Sequence, residues 1–215
     1  AVDFTVETHL GAVPLKLKPF DIRSKNYRSV VTTENGLVND PVKVDLFEAI
    51  ADPKHGVDFA RVALISNSKT KERKVEGFMR SGGSYYQVSQ IRPDIKSVLA
   101  TRLSQLEISQ LIQRCGVDHV EKDLHVGEAT FGELGLPTAA RASAFETGAI
   151  TSYKELQMAT EADFEYVSGL GSSTSANAEI LTTLASVDAI YRAQLGGTIV
   201  VTFQHAWATP DSFST

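Results

Sequence analysis

The residues with the most chemical potential lie in Gln113–Val120, which reads QRCGVDHV. Cys115 is the only cysteine in 215 residues, so it has no partner for an internal disulfide. Such a thiol is either a small buried hydrophobe or a group kept free for chemistry. Gly116 follows it directly, and Asp118 and His119 stand close by. A Cys115–His119 nucleophilic pair has the right residue types, since an imidazole can hold a thiol as thiolate. Four-residue spacing on a loop does not by itself supply the geometry. A metal cluster of Cys115, His119 and His125 has suitable donors, but the spacing matches no zinc pattern.

The other histidines are His9, His55 and His205, and none of the five stands in an HExxH helix. That motif places two imidazoles and a glutamate base on one helical face. A GxSxG elbow and a P-loop are also missing. Gly169-Leu170-Gly171 lacks the third glycine of a dinucleotide-binding turn and reads as a plain turn. The chain therefore offers no complete catalytic constellation, and no catalytic residue is assigned.

The elements that must position Cys115 follow from periodicity. Val2, Phe4 and Val6 alternate with polar residues, as do Val13, Leu15 and Leu17 beyond Gly11, which predicts a hairpin limited by Pro19. Further strands are expected at Tyr27–Thr32, closed by Asn35-Gly36, and around Val42, Val44 and Leu46. Phe59–Ser66 is almost continuously apolar, as in a strand covered on both faces. Val75–Arg80 and Ser84–Ile91 flank Ser81-Gly82-Gly83, whose glycines can take positive φ. Seven or so short strands before Arg92-Pro93 predict an antiparallel sandwich or barrel-like unit.

Leu99, Leu103, Leu106, Leu111 and Ile112 then predict a helix over Ser97–Arg114, with Gly116 at its exit. From Glu121 to Ser152 the glycines, Pro137 and small residues have no period and read as a linker. After it, Asp163–Val167 predicts a strand. Ser172–Thr174 offer helix-capping hydroxyls, and Ile180, Leu184, Val187 and Tyr191 form a helical stripe broadened by Leu181 and Ile190. Gly196-Gly197 closes that helix and Thr198–His205 predicts a second strand, parallel to the first. The expected fold class is α+β, with a β-rich antiparallel domain over 1–120 that ends in a helix. A linker over 121–158 contains a processing region, and a β–α–β unit spans 159–215.

The composition is 42% hydrophobic and 22% charged with a net charge of -5, an ordinary globular balance. It argues against nucleic-acid binding, which needs a basic face. The densest basic run, Lys69–Lys74, lies between two strands and reads as a solvated hairpin tip. No apolar run approaches the ~20 residues of a membrane span, and no signal peptide is visible. The opening AVDFTVETH reads as the start of a mature or trimmed chain, and the closing ATPDSFST as a cut.

The order of parts resembles a metzincin zinc metallopeptidase zymogen of the adamalysin/reprolysin type. The phrases that carry the resemblance are Asp163-Phe164-Glu165-Tyr166, SANAEILTTLASVDAIYRAQLG and TIVVTFQHAWAT. In the first half they are Phe59–Leu64, Val75–Phe78 and Gly82–Val88, which are similar to the strands of such propeptides. The resemblance implies a β-rich prodomain followed by the opening of a zincin-like α/β domain. It implies that Cys115, within Arg114-Cys115-Gly116-Val117, is an inhibitory zinc ligand, a cysteine switch aided by Arg114. It further implies zinc in the full-length enzyme and none bound to this chain. The implied partners are protein or peptide substrates and the enzyme's own catalytic domain, and the implied setting is secreted or extracellular. The family's HExxH helix lies downstream of these phrases, so the 215-residue chain is expected to be inactive alone. The rival expectations are a non-catalytic secreted β-rich binding or inhibitor module and a cysteine-dependent hydrolase using Cys115.

Overall fold

In a computed structural model, the structure describes residues 2–49, 53–66, 73–90, 98–103 and 153–211. The first hairpin forms as the alternation predicts: β1 (Val2–Thr8) and β2 (Gly11–Phe20) pair antiparallel, Val6 opposite Val13. Next come β3 (Arg23–Thr33), β4 (Gly36–Asn39), β5 (Val44–Ala49) and a 3-10 turn at Pro53–His55. The chain continues as β6 (Val57–Ser66), β7 (Arg73–Ser81), β8 (Ser84–Gln90) and β9 (Val98–Arg102). Beyond residue 152 come β10 (Lys154–Ala162), α1 (Phe164–Leu170), α2 (Ser173–Leu195) and β11 (Gly197–Trp207). The protein is thus β-rich with two described helices, an α+β arrangement.

Seven strands close a barrel in the order β1-β2-β5-β6-β7-β8-β9. Its pairs are antiparallel except for the closure, where β1 and β9 run parallel with Val6 beside Val98. Closure removes both sheet edges. The interior holds Val6, Leu15, Leu17, Ala60, Val62, Met79, Tyr86 and Val88, all buried. Gly77 marks the tightest point of the wall, because a Cβ there would stand 2.2 Å from the carbonyl oxygen of Arg61 on β6. Only glycine allows that approach. At the β7–β8 turn Gly82 and Gly83 take φ of 54° and 75°, as that hairpin requires.

The hairpin β3–β4 leaves the barrel. It joins a second sheet of order β10-β11-β3-β4, in which β11 runs parallel to both β10 and β3. Helix α2 packs between this sheet and the outer wall of the barrel. Ala63 and Ile65 of β6 meet Ala178, Leu181 and Ala185 of α2, whose other side covers Ile199 and Val201 of β11. Strand β6 is therefore covered on both faces, as its continuous apolar sequence indicates: Ala60 and Val62 point into the barrel, Ala63 and Ile65 toward α2.

Several local expectations need correction. Asp163–Val167 is not a strand, because the Asp163 carboxylate accepts a hydrogen bond from Tyr166 N at 2.7 Å and starts α1. The parallel partner of β11 is Lys154–Ala162, which the sequence reading placed mostly in the linker. Residues Val98–Arg102 are a strand rather than the start of a helix, with Val98 and Ala100 inside the barrel and Leu99 outside. The remainder of that expected helix lies outside the described residues. The deepest face of α2 is not the stripe Ile180, Leu184, Val187 and Tyr191, which is only half-buried. It is the seam Ala178, Leu181, Ala185 and Ala189, of which Leu181 belongs to the broadened stripe. The three alanines are there because a helix covered on two sides needs small residues for its backbone to come close. Strand β3, from the first part of the chain, belongs to the same sheet as β10 and β11.

Candidate functional site

The described residue types that could do chemistry converge where the barrel, α2 and the second sheet meet. Asp188 is at the centre. The first turn of β11 starts only two residues after α2 ends, which brings Thr198 and Ile199 back beside the helix. Asp188 Oδ1 accepts from Thr198 Oγ1 at 2.8 Å and from Ile199 N at 2.9 Å. Its Oδ2 lies 2.9 Å from Arg192 Nε, one helical turn on, and 3.2 Å from Arg61 Nη2, which projects from the barrel wall. Arg61 in turn pairs with Glu48 at 3.1 Å, and Glu48 with Lys18 at 2.9 Å.

The result is a chain of alternating charge, Lys18–Glu48–Arg61–Asp188–Arg192, that runs from the barrel surface into the joint. Asp188 is fully buried and Arg61 nearly so. Burial pulls the Arg61 guanidinium below its ordinary value, and the neighbouring Glu48 and Asp188 carboxylates oppose that pull. Phe20 lies under both guanidiniums, 4.4 Å from Arg61 and 5.2 Å from Arg192 measured to the ring centre. Arg192 also stands 5.2 Å from the ring centre of Tyr153. A cleft of ≈ 410 Å³ opens beside this chain, lined by Lys18, Glu48, Arg61, Tyr153 and Arg192 among others. Because each cation lining it already has a carboxylate partner, the cleft is a seam in the joint with little free charge to offer a ligand.

A second polar network crosses the same joint near the N-terminal end of α2. Gln204, fully buried on β11, accepts from Tyr27 Oη at 2.6 Å and donates from Nε2 to Thr160 Oγ1 at 3.1 Å and Asn177 O at 3.2 Å. Asn177 donates to Ser29 Oγ at 3.1 Å. Burial raises the Tyr27 phenol above its ordinary value, so it remains a donor. These five residues tie β3, β10, β11 and α2 together.

The third cluster lies on the sheet face away from that network. Thr32 Oγ1 is 2.8 Å from His205 Nε2, and His205 Nδ1 is 3.1 Å from Glu161 Oε1. Trp207 Nε1 donates to the same Glu161 oxygen at 2.5 Å, and its ring lies 4.9 Å from the imidazole. A hydroxyl–imidazole–carboxylate order can in general activate a nucleophile. Here Thr32 is held within the sheet, paired with Trp207 on one side and Leu37 on the other. Its backbone neighbours are thus occupied by the sheet, and the cluster acts as a hydrogen-bond tie across β3, β11 and β10.

Of the residues singled out in the sequence, Cys115, His119 and His125 lie outside the described residues, as does Arg114. His9 is exposed at the first hairpin with its ring 6.1 Å from Tyr86, and His55 is exposed in the 3-10 turn. Among the described residues no three of His, Cys, Asp and Glu stand together as metal donors. No described helix is long and apolar enough to cross a membrane. Sequence reading passed over Arg61, Asp188, Glu48 and Gln204. The available signal was modest: a charged residue inside the apolar run Phe59–Ser66, and an aspartate among helix positions otherwise apolar or small. Set against known proteins, the chain matches no family model, no curated protein and no solved structure.

Proposed function

We propose that this chain is the propeptide and the opening β–α–β portion of a secreted zinc endopeptidase zymogen, with Cys115 as its inhibitory thiol. The observation that carries the reading is the joint. The N-terminal region contributes β3 to the sheet of β10 and β11, and Arg61 to the buried Asp188. A propeptide must hold its enzyme through non-covalent contacts that outlast the cutting of the chain, and sheet hydrogen bonds with buried ion pairs are contacts of that kind. The long helix α2 against parallel β10 and β11 agrees with the start of a zincin-like domain. Strand β10 is an edge of its sheet among the described residues, which leaves room for later chain to extend it.

In the full-length enzyme, zinc supplies a Lewis acid that activates water for peptide hydrolysis. The role of this chain is to withhold that chemistry. A Cys115 thiolate is suited to the open coordination position of a catalytic zinc, and Arg114 beside it favours the thiolate. Protein or peptide substrates and the chain's own catalytic domain are the partners in this reading.

The test is expression of the gene with whatever reading frame follows Thr215, assayed on a fluorogenic peptide. The intact product should be nearly silent. Cleavage within residues 121–152 followed by release of the N-terminal part should switch it on, a chelator should switch it off, and Cys115→Ala should raise the activity of uncut protein at least tenfold. A downstream frame without HExxH, or zinc-dependent turnover by the 215-residue chain alone, overturns the proposal.

A further inference from the structure

Where the end of the β3–β4 hairpin meets the first turns of α2, the polar side chains of Ser29, Asp40, Thr174 and Asn177 stand at the corners of a quadrilateral. Each side is short. Asp40 N donates to Ser29 O at 3.0 Å, which extends the β3–β4 register by one pair and puts both side chains on one face of the sheet. Thr174 Oγ1 donates to Asp40 Oδ1 at 3.0 Å, and Asn177 Nδ2 to Ser29 Oγ at 3.1 Å. Thr174 and Asn177 share a face of α2, one turn apart.

At two opposite corners a buried oxygen lacks a donor: Asp40 Oδ2 and Asn177 Oδ1. Asn177 is fully buried, and its amide is oriented by its neighbours. Ser29 Oγ, which accepts from Nδ2, is hydrogen-bonded onward to the Tyr27 hydroxyl, which itself donates to Gln204. Ser29 therefore gives its proton to Tyr27 and keeps a lone pair for Asn177. Among the described residues no basic side chain pairs with Asp40. A buried oxygen of a charged group is costly to leave without a partner, and the positive end of α2 offsets only part of that charge.

We propose that Asp40, Asn177, Thr174 and Ser29 form a calcium site that fastens the β3–β4 hairpin to the start of α2. The donors are a carboxylate, a carboxamide oxygen and two hydroxyls, an all-oxygen set that suits a hard cation rather than zinc. Water completes the shell of such an ion. A single carboxylate facing the positive end of a helix makes a weak site, with a dissociation constant of ~10⁻⁴–10⁻³ M. The site belongs to the second sheet and does not depend on the peptidase reading.

The test is a calcium titration of the chelator-stripped 215-residue chain at constant ionic strength, read by amide hydrogen exchange. Protection of Asp40 and of Ala176–Leu181 should rise about tenfold once calcium reaches about ten times its dissociation constant. Magnesium should do less, because it gives up its waters reluctantly. Asp40→Asn keeps the shape, removes the charge and should abolish the response. Asn177→Asp adds a second charge and should move the midpoint to lower calcium, which a purely structural amide would not do. A native titration that stays flat to about 20 mM overturns the site and means that the Asn177 amide is turned, with Nδ2 on Asp40. An equal response in the native chain and Asp40→Asn, or an unshifted midpoint in Asn177→Asp, overturns it as well. If one variant fails to fold, the other decides.

Discussion

Asp188 has four hydrogen-bonding or ionic partners on three elements, and no water needs to be invoked for any of them. Removing its charge leaves Arg61 buried with Glu48 as its remaining anion and its Nε already without a partner. Breaking a buried pair from one side costs roughly 3–5 kcal/mol, since the abandoned charge stays out of water. Asp188→Asn should lower the unfolding free energy by about that amount in urea denaturation. Lys18→Ala, which breaks the outer link of the same chain, should cost under ~1 kcal/mol, because Lys18 is half exposed. Equal losses for the two substitutions would mean that burial is not what makes the inner pair strong.

At the level of elements, the ends of helices carry information that periodicity misses. Asp163 caps α1 and also sits at the close of β10, so one residue separates the strand from the helix. Asp163→Ala should cost about 1 kcal/mol, measured by thermal unfolding, with loss of helical protection confined to Phe164–Leu170. The aromatic alternation of Phe164 and Tyr166 suggested a strand; the capping carboxylate outweighed it. Strand β10 was illegible for the opposite reason: as an edge strand with most side chains exposed, it has no apolar alternation to read. Strand β9 was hidden by leucines at helical spacing, whereas barrel closure needs only Val98 and Ala100 to face inward. The hairpins at Gly11 and Gly82-Gly83, the doubly covered β6 and the Ser172 cap of α2 were all legible, since each depends on a local rule. The joint was not, because the pairing of Arg61 with Asp188 spans 127 residues and no local pattern encodes it.

For the whole molecule, the consequence is that the first and last parts of the chain form one cooperative structure. Cutting the connection should therefore not separate them. A chain nicked between residues 121 and 152 should elute in gel filtration as one particle containing both fragments. Early dissociation at neutral pH and moderate salt would contradict a joint built from β3, the buried charges and Gln204. Asp188→Asn in the nicked complex should hasten its separation, because the missing contact no longer has chain connectivity to compensate for it.

The hairpin β3–β4 is anchored at both ends in the barrel, through Phe20 of β2 on one side and Val44 of β5 on the other. It cannot peel from β11 one residue at a time from a free end. Detachment must instead lift an internal loop of chain off the sheet in a single step while β2 and β5 stay in place. That makes separation of the two parts a matter of waiting time rather than of equilibrium. A nicked complex held in this way would persist for a period set by one high barrier and shorten that period steeply on warming.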